Sequence, residues 1–398
     1  MIKREKYLSK IRPFYDQDLI KVIIGIRRCG KSVILLQIIE ELKERSIPES
    51  QIIYINFEDE DYSYLESDKE LNEHIKEKIV NKEKYYLFFD EIQNVKNWEK
   101  AINSFKATKN VSIFITGSNS DLLSGELATH IAGRYVSFKI FPFTFKEVCE
   151  MKNVTEKKEV EDLFNDYINW GGMPQRFVFT DEFQTKTYLS DLYDSIVVKD
   201  IIARFNIKDI DLLNRITEYI VTTPSQNFSA ENLSNYFLGQ KEREVSKATL
   251  YNYLEYMNRA FLINKVDRYD VRGKRILNGK YKYYLTDLGL GQIKSAGKRP
   301  QLGAYLENIV YNELISRGYE VKIGNLENAE IDFIATRFKE KIYIQVAYIL
   351  ADERTEKREF GAFKNIQDNY PKYVLTMDKY DFSQDGIIHK NVIDWLLQ

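Results

Sequence analysis

The chain has 398 residues, 44% hydrophobic and 14% aromatic, and its 30% charged residues nearly cancel to a net charge of −2. It is too long for one ordinary domain and apolar enough for real cores, and its charge is too balanced for an overall field that demands nucleic acid or an anionic membrane. Two cysteines, Cys29 and Cys149, without a CxxC spacing exclude a disulfide framework. The N-terminal MIKREKYLSK lacks the apolar stretch of a signal peptide, and no apolar run approaches the ~18 residues that span a bilayer, so a soluble cytoplasmic protein with no membrane partner is predicted.

From Leu19 to about Ile140, short apolar runs alternate with helical stretches: LIKVIIG, IIYINFED, YYLFFDE, VSIFITGS and YVSFKIFPF. Runs buried on both faces are what parallel strands with helical crossovers require. This predicts an α/β P-loop domain over residues 1–155. Gly25-Ile26-Arg27-Arg28-Cys29-Gly30-Lys31-Ser32 fits G-x-x-x-x-G-K-[ST] between a strand (IKVII) and a helix ending before Pro48. In that setting the loop N–H groups and the helix N-terminus face phosphates. Lys31 reaches the β/γ-phosphates of a nucleotide, and the Ser32 hydroxyl ligates Mg²⁺. Cys29, next to Gly30 and Lys31, is expected to favour the thiolate.

YYLFFDEIQ ends a buried run in Asp90-Glu91. At the C-terminal end of a parallel strand Asp90 can hold the Mg²⁺ shell and Glu91 can polarise the attacking water. IFITGSNSDLL places Ser118 and Asn119 just past another strand. There a short polar side chain either senses the γ-phosphate and lytic water or caps a helix. Arg134, in HIAGRY, is either an arginine aimed at a γ-phosphate, in its own or a neighbouring subunit, or an ordinary surface residue.

Residues 156–223 read as a helical lid. VEDLFNDYINW stops at Gly171-Gly172, and YLSDLYDSIVVKDIIARF and IDLLNRITEYIV carry apolar residues at helical spacing. Residues 224–295 follow the winged-helix order. Two shorter helices open on Ser229 and Ser246, and strand-like FLINKVDRYD and KYYLTD are separated by the turn-rich VRGKRILNGK. Between Ser225 and Pro300 stand fourteen Lys/Arg against seven Asp/Glu. Lys247 near the start of a recognition helix, and Arg272, Lys274 and Arg275 with Lys265, Arg268, Lys280 and Lys282 on the wing, suit phosphate contacts to double-stranded DNA. The alternative is that the winged helix packs against the nucleotide domain or a protein partner.

Residues 296–398 form a compact α/β unit, preceded by the linker-like KSAGKRPQLG. Glu307 on a helix, Asp332 on one strand and a polar residue on the next resemble the PD-(D/E)xK nuclease fold. The expected E-x-K reads Gln345-Val346-Ala347, without second carboxylate or lysine, which predicts a nuclease-like scaffold that has lost catalysis. Lys339 and Lys341 are the candidates for a displaced lysine.

IKVIIGIRRCGKS, YINFED, FFDEIQ, ITGSNSDLLSGELATHIAGRY and FKIFPFTFKEV, with KYYLTDLGL and EIDFIA…IYIQVAY…TEKREFGAF…DNYPKYVLTMD, resemble the bacterial and archaeal AAA-type ATPases that carry a C-terminal domain of unknown function. That family is close to the archaeal-type ATPases, and the resemblance covers nearly the whole chain. It implies ATP rather than GTP. It also implies sensor roles for Ser118 and Asn119, an arginine-finger role for Arg134 and possible homo-oligomers. The function expected is Mg²⁺-dependent ATP hydrolysis driving a DNA-associated switch, with a partner-regulated ATPase or an ATP-gated nuclease as alternatives.

Overall fold

The computed structural model describes residues 2–123, 133–223, 225, 227–228, 233–234, 237, 245–295, 301–326 and 329–398, with the side chains of 121 and 278–280 outside that set. The chain divides into two compact units, residues 1–142 with 259–261, and residues 143–258 with 262–398.

In the first unit, helix α1 (Glu5–Ile11) precedes strand β1 (Ile20–Ile24), which runs through the phosphate-loop motif into α2 (Lys31–Glu44). Then follow β2 (Ile52–Asn56), α3 (Asp68–Lys78), β3 (Tyr85–Asp90), α4 (Trp98–Thr108), β4 (Val111–Gly117) and β5 (Tyr135–Lys139). The strands form one parallel sheet in the order β2-β3-β4-β1-β5. Every residue of β1 and β3 is buried, as their continuous apolar runs require, whereas edge strand β2 alternates buried and half-buried. Because β4 lies between β1 and β3, the C-terminal ends of the three stand side by side. In an open α/β sheet that edge is where ligands bind. At the opposite side of α2, Glu41 accepts from Arg12 at 2.8 Å and from the Tyr15 hydroxyl at 2.9 Å, which clamps the N-terminal segment onto this helix.

The second unit opens with helices α5 (Phe145–Lys152), α6 (Lys157–Trp170), α7 (Glu182–Ser195) and α8 (Ile210–Thr222). Helix α6 ends where the sequence suggests, at Gly171 with φ 69°. Helix α7 continues as a π-helical stretch, Ile196–Ala203, which helical spacing alone does not reveal. Helix α9 (Lys247–Arg259) is capped by Ser246, whose hydroxyl accepts from Thr249 N at 3.1 Å. Ser229, most of the helix expected after it, and the Lys280 side chain lie outside the described residues.

Strands β7 (Ile263–Asp270) and β8 (Arg275–Leu285) form a hairpin, and the two-residue β6 (Asn227–Phe228) pairs with β8. The expected turn VRGKRILNGK is shorter than its composition suggests. Only residues 271–274 turn, and β8 already begins at Arg275. The Asp270 carboxylate accepts from Arg272 N and Gly273 N, at 3.1 and 3.0 Å, and this closes the turn without the later glycine.

Helix α10 (Leu302–Ser316) is followed by β9 (Glu320–Leu326), β10 (Ala329–Arg337), β11 (Glu340–Val346), α11 (Glu353–Gly361), β12 (Lys372–Thr376), β13 (Ile388–Asn391) and α12 (Val392–Leu396). Strand β9 pairs in parallel with β7, Arg268 opposite Ile323. The wing hairpin and the C-terminal strands therefore make one eight-stranded sheet, β13-β12-β11-β10-β9-β7-β8-β6. Its core includes Ile331, Ile334, Tyr343, Phe360, Phe363 and Val374.

Candidate functional site

The phosphate loop leaves β1 at Ile24 and delivers Lys31 and Ser32 into the first turn of α2. Two glycines are needed for different reasons. A Cβ on Gly25 would stand 2.3 Å from the Ile140 carbonyl oxygen, so only glycine fits the close approach. Gly30, the residue ahead of α2, has φ 103°, in the left-handed half of the map. Ile26 is buried, Arg27 pairs with Glu58 at 2.8 Å, and Arg28 is exposed with φ 64°.

Lys31 is only 4% exposed, and its ammonium lies inside the loop, 3.3 and 3.4 Å from the carbonyl oxygens of Gly25 and Ile26. It also stands 3.2 Å from Glu91 Oε1. Burial pushes the Lys31 pKa down, but Glu91 outweighs it, and the net shift is upward. Burial likewise pushes Glu91 up, and Lys31 with the Gln93 amide bring it below its ordinary value. The pair is held ionised, at the place where a triphosphate would meet the lysine.

Asp90 ends β3, and Glu91 follows it with φ 55° and ψ 49°, a left-handed conformation that a carboxylate residue adopts only under constraint. The constraint is visible. Thr116 of β4 accepts from Glu91 N at 2.9 Å and donates to Asp90 Oδ1. Tyr54 donates to Asp90 Oδ2 at 3.0 Å, and Gln93 Nε2 donates to Glu91 Oε2 at 2.5 Å. Tyr54, Gln93 and Thr116 were not singled out from the sequence. Thr116 lies one residue inside ITGS, but its two partners are 25 and 26 positions away.

Ser118 and Asn119 are both buried just after β4, beside β1 at its loop end. Arg134 is exposed and precedes β5 at the other end of the sheet, where its carbonyl accepts from Ile20 N at 2.9 Å. The five residues of β5 span ~16 Å, so Arg134 does not join its own chain's loop.

The expected Cys29 thiolate is corrected. The side chain is 0% exposed, and its Sγ donates to the Ile140 carbonyl at 3.4 Å. Burial raises the thiol pKa, and the nearby Lys31 and Arg4 charges do not reverse it. Helix N-termini favour thiolates that reach the anion side of the loop, and this sulfur packs behind it.

In the second unit, Lys247, Arg272, Lys274 and Arg275 are all exposed. Arg272 and Lys274 are in the turn, Lys274 with φ 50°, and Arg275 is 3.8 Å from Asp270. Arg268 and Lys282 are a correction to the basic wing. Both are buried, Lys282 to 3% exposure: Arg268 lies on β7, which pairs with β9, and Lys282 on β8, which packs against α10. Lys282 Nζ pairs with Glu307 at 3.0 Å and Glu330 at 2.7 Å, while Arg268 reaches Glu330 at 2.6 Å and Asn325 at 3.0 Å.

The same cluster receives the nuclease-like residues. Tyr284 donates to Glu307 at 2.7 Å. Gln345 accepts from Asp332 N at 2.7 Å and donates to Glu359 Oε2 at 2.9 Å, and Asp332 Oδ2 accepts from Val346 N at 2.8 Å. Burial and then Glu307 drive the Asp332 carboxyl well above its ordinary value. Lys282 of β8 and Glu359 of α11 thus stand in one cluster with Glu307, Asp332 and Gln345. Lys341 instead pairs with Asp368 at 3.1 Å.

A family model described as an AAA domain matches residues 17–149, and one described as a domain of unknown function (DUF8612) matches residues 161–298, the stretch read as lid and winged helix. An uncharacterised protein of Haemophilus influenzae is 39% identical over 401 residues, covering 100% of this chain and 99% of its own length. Uncharacterised protein MJ1544 of Methanocaldococcus jannaschii is 35% identical over 363 residues, 88% of this chain and 79% of that one. Among solved structures, the Aeropyrum pernix ORC2 protein matches with a TM-score of 0.42 and 9% identity, over 78% of this chain and 92% of that one. AMPPCP-bound DnaA from Aquifex aeolicus matches with a TM-score of 0.31 and 14% identity, over 64% and 86%.

Proposed function

The chain belongs to the AAA-domain P-loop ATPase family of bacteria and archaea, and from that premise we propose that it hydrolyses ATP with Mg²⁺ and couples the cycle to duplex DNA. The observation that carries the reading is the convergence of Lys31, Asp90-Glu91 and Thr116–Asn119 on three adjacent strand ends. Ser32 and Asp90 suit one hydroxyl and one carboxylate ligand of Mg²⁺, an ion that completes its shell with water and phosphate oxygens. When bound, the ion supplies charge neutralisation between the phosphates. Lys31 contacts the β/γ-phosphates, Glu91 accepts the proton of the attacking water, and Ser118 and Asn119 orient that water.

The Lys31–Glu91 pair adds an order of events. Phosphates draw the ammonium away from Glu91, so the base is released only when substrate occupies the loop. Arg134 acts, in this reading, on the site of a second copy.

Three exposed cations at a hairpin turn and Lys247 at a helix start support the DNA partner. We assign residues 1–155 to the ATPase, 156–223 to the lid, 224–295 to the winged helix and 296–398 to the nuclease-like unit. Lys282 is tied to two carboxylates and Gln345 to Glu359, which supports a structural network there rather than a cleaving one. The test is duplex binding and ATP turnover across a salt series, for wild type and for a variant with Arg272, Lys274 and Arg275 changed to Ala. Wild-type affinity is expected to fall steeply with salt, and the variant to bind all duplexes more weakly with a flatter slope and unchanged basal turnover. No duplex binding at low salt would leave the partner-regulated ATPase as the reading, and metal-dependent nicking would favour the nuclease.

A further inference from the structure

We propose that Arg4, which lies ahead of the first helix and far from the loop in sequence, is the positioning residue that sets the phosphate-binding backbone. The inference rests on the reading of this loop as the ATP site. The Arg4 side chain is 2% exposed. Its Nη1 donates to the Cys29 carbonyl at 3.1 Å and to the Phe141 carbonyl at 3.0 Å, and its guanidinium carbon lies 4.5 Å from the centre of the Tyr7 ring. The Arg4 main-chain N–H donates to Gln37 Oε1 of α2 at 3.1 Å, and Gln37 Nε2 returns a bond to the Ile2 carbonyl at 2.7 Å. Tyr7 in turn accepts from Phe141 N at 3.2 Å. Three stretches are cross-braced through one side chain: the N-terminal segment, the phosphate loop, and the chain leaving β5.

The bond to Cys29 has a specific consequence. The Cys29 carbonyl and the Gly30 N–H belong to one planar trans peptide, so they point to opposite sides of the chain. Holding the carbonyl behind the loop aims the Gly30 N–H at the concave side, where phosphate oxygens are received. Gly30, with φ 103°, has no side chain to select that orientation for itself. A Cβ placed on it would lie 3.7 Å from Arg4 Nη1, so a permanent positive charge also stands close behind the anion site. Arg4 acts through this peptide and does not itself touch the nucleotide.

Two readouts test it on the full-length protein. In the nucleotide-free state, hydrogen exchange of the Cys29 and Ile34 amides, which are bonded to the Ile26 and Gly30 carbonyls, should speed up roughly tenfold in Arg4→Ala while β3 keeps its wild-type protection. Affinity for a fluorescent MgATP analogue should fall roughly ten- to a hundredfold, the scale of one charged hydrogen bond. Millimolar guanidinium should restore part of that affinity to Arg4→Ala and none to Lys31→Ala. Such rescue also shows that the variant is folded around a guanidinium-shaped gap. Arg4→Lys should fall between, since it keeps the charge and N–H donors but loses the planar guanidinium that lies against Tyr7. Wild-type loop exchange and wild-type affinity in Arg4→Ala would overturn the inference. Faster loop exchange in a chain whose wild type binds no MgATP would keep the positioning role and remove the ATP reading instead.

Discussion

At the scale of single residues, buried ionisable groups separate into those that hold the fold and those that await a ligand. Asp287 belongs to the first kind. It accepts from Gly172 N at 2.6 Å and from Gly289 N and Leu290 N at 3.0 and 3.3 Å, yet burial raises its pKa to about 6. A carboxyl whose folded pKa is raised contributes its full stability below the unfolded value near 3.9 and loses it as pH rises through about 6. Asp287→Asn is therefore expected to gain about 3 kcal/mol relative to wild type between pH 4 and pH 7, read from urea unfolding of the unit that carries it. A difference independent of pH would contradict the shift. Glu41, held at about 2 chiefly by Arg12, has the opposite sense and loses its contribution as pH falls toward 2. Of the candidate ATP site, the loop, Asp90-Glu91 and Ser118-Asn119 were legible because each is a local pattern at a strand end. Arg4, Tyr54 and Thr116 were not, because their roles come from partners brought together by the sheet. The Cys29 thiol shows the converse. Its neighbours in sequence suggested a thiolate, and the direction of its side chain decided otherwise.

At the scale of elements, the strands of the first unit were readable from their unbroken apolar runs, and helices α6, α8 and α9 from spacing and caps. Strand β9 and its pairing with β7 were not, because residues 268 and 323 meet only after the intervening helix has folded back. That pairing changes the meaning of the wing. Its buried strand carries Lys282 into the carboxylates of Glu307 and Glu330, while its turn keeps Arg272, Lys274 and Arg275 exposed. Burial raises Glu307 despite the Lys282 ammonium beside it, so removing that ammonium takes the counter-charge from Glu307, while Glu330 keeps Arg268. Lys282→Met is expected to destabilise the second unit by about 3–5 kcal/mol, and Lys282→Met with Glu307→Gln to recover part of it. The measurement is the urea midpoint at neutral pH. A loss below about 1 kcal/mol would show the cluster to be solvated and the lysine free for another use.

At the scale of the whole molecule, the position of Arg134 bears on assembly. It sits at the sheet end away from the loop, so its use in hydrolysis requires a second copy. Turnover per chain should then rise with protein concentration, and mixing Arg134→Ala with Glu91→Gln should restore activity that neither has alone, because one chain's base meets the other's arginine. A rate independent of concentration, without complementation, would make Arg134 a surface residue. Beneath this stands the proposal that the Lys31–Glu91 pair is the resting state of an ATP hydrolase. The most direct measurement compares MgATP binding and single-turnover hydrolysis in wild type, Glu91→Gln and Lys31→Ala. Glu91→Gln keeps the shape of the site and removes the base, so it should bind MgATP at least as tightly as wild type and hydrolyse it roughly a hundred- to ten-thousandfold more slowly. Lys31→Ala should lose binding itself. Hydrolysis by Glu91→Gln at the wild-type rate, or MgATP binding undiminished in Lys31→Ala, would contradict it.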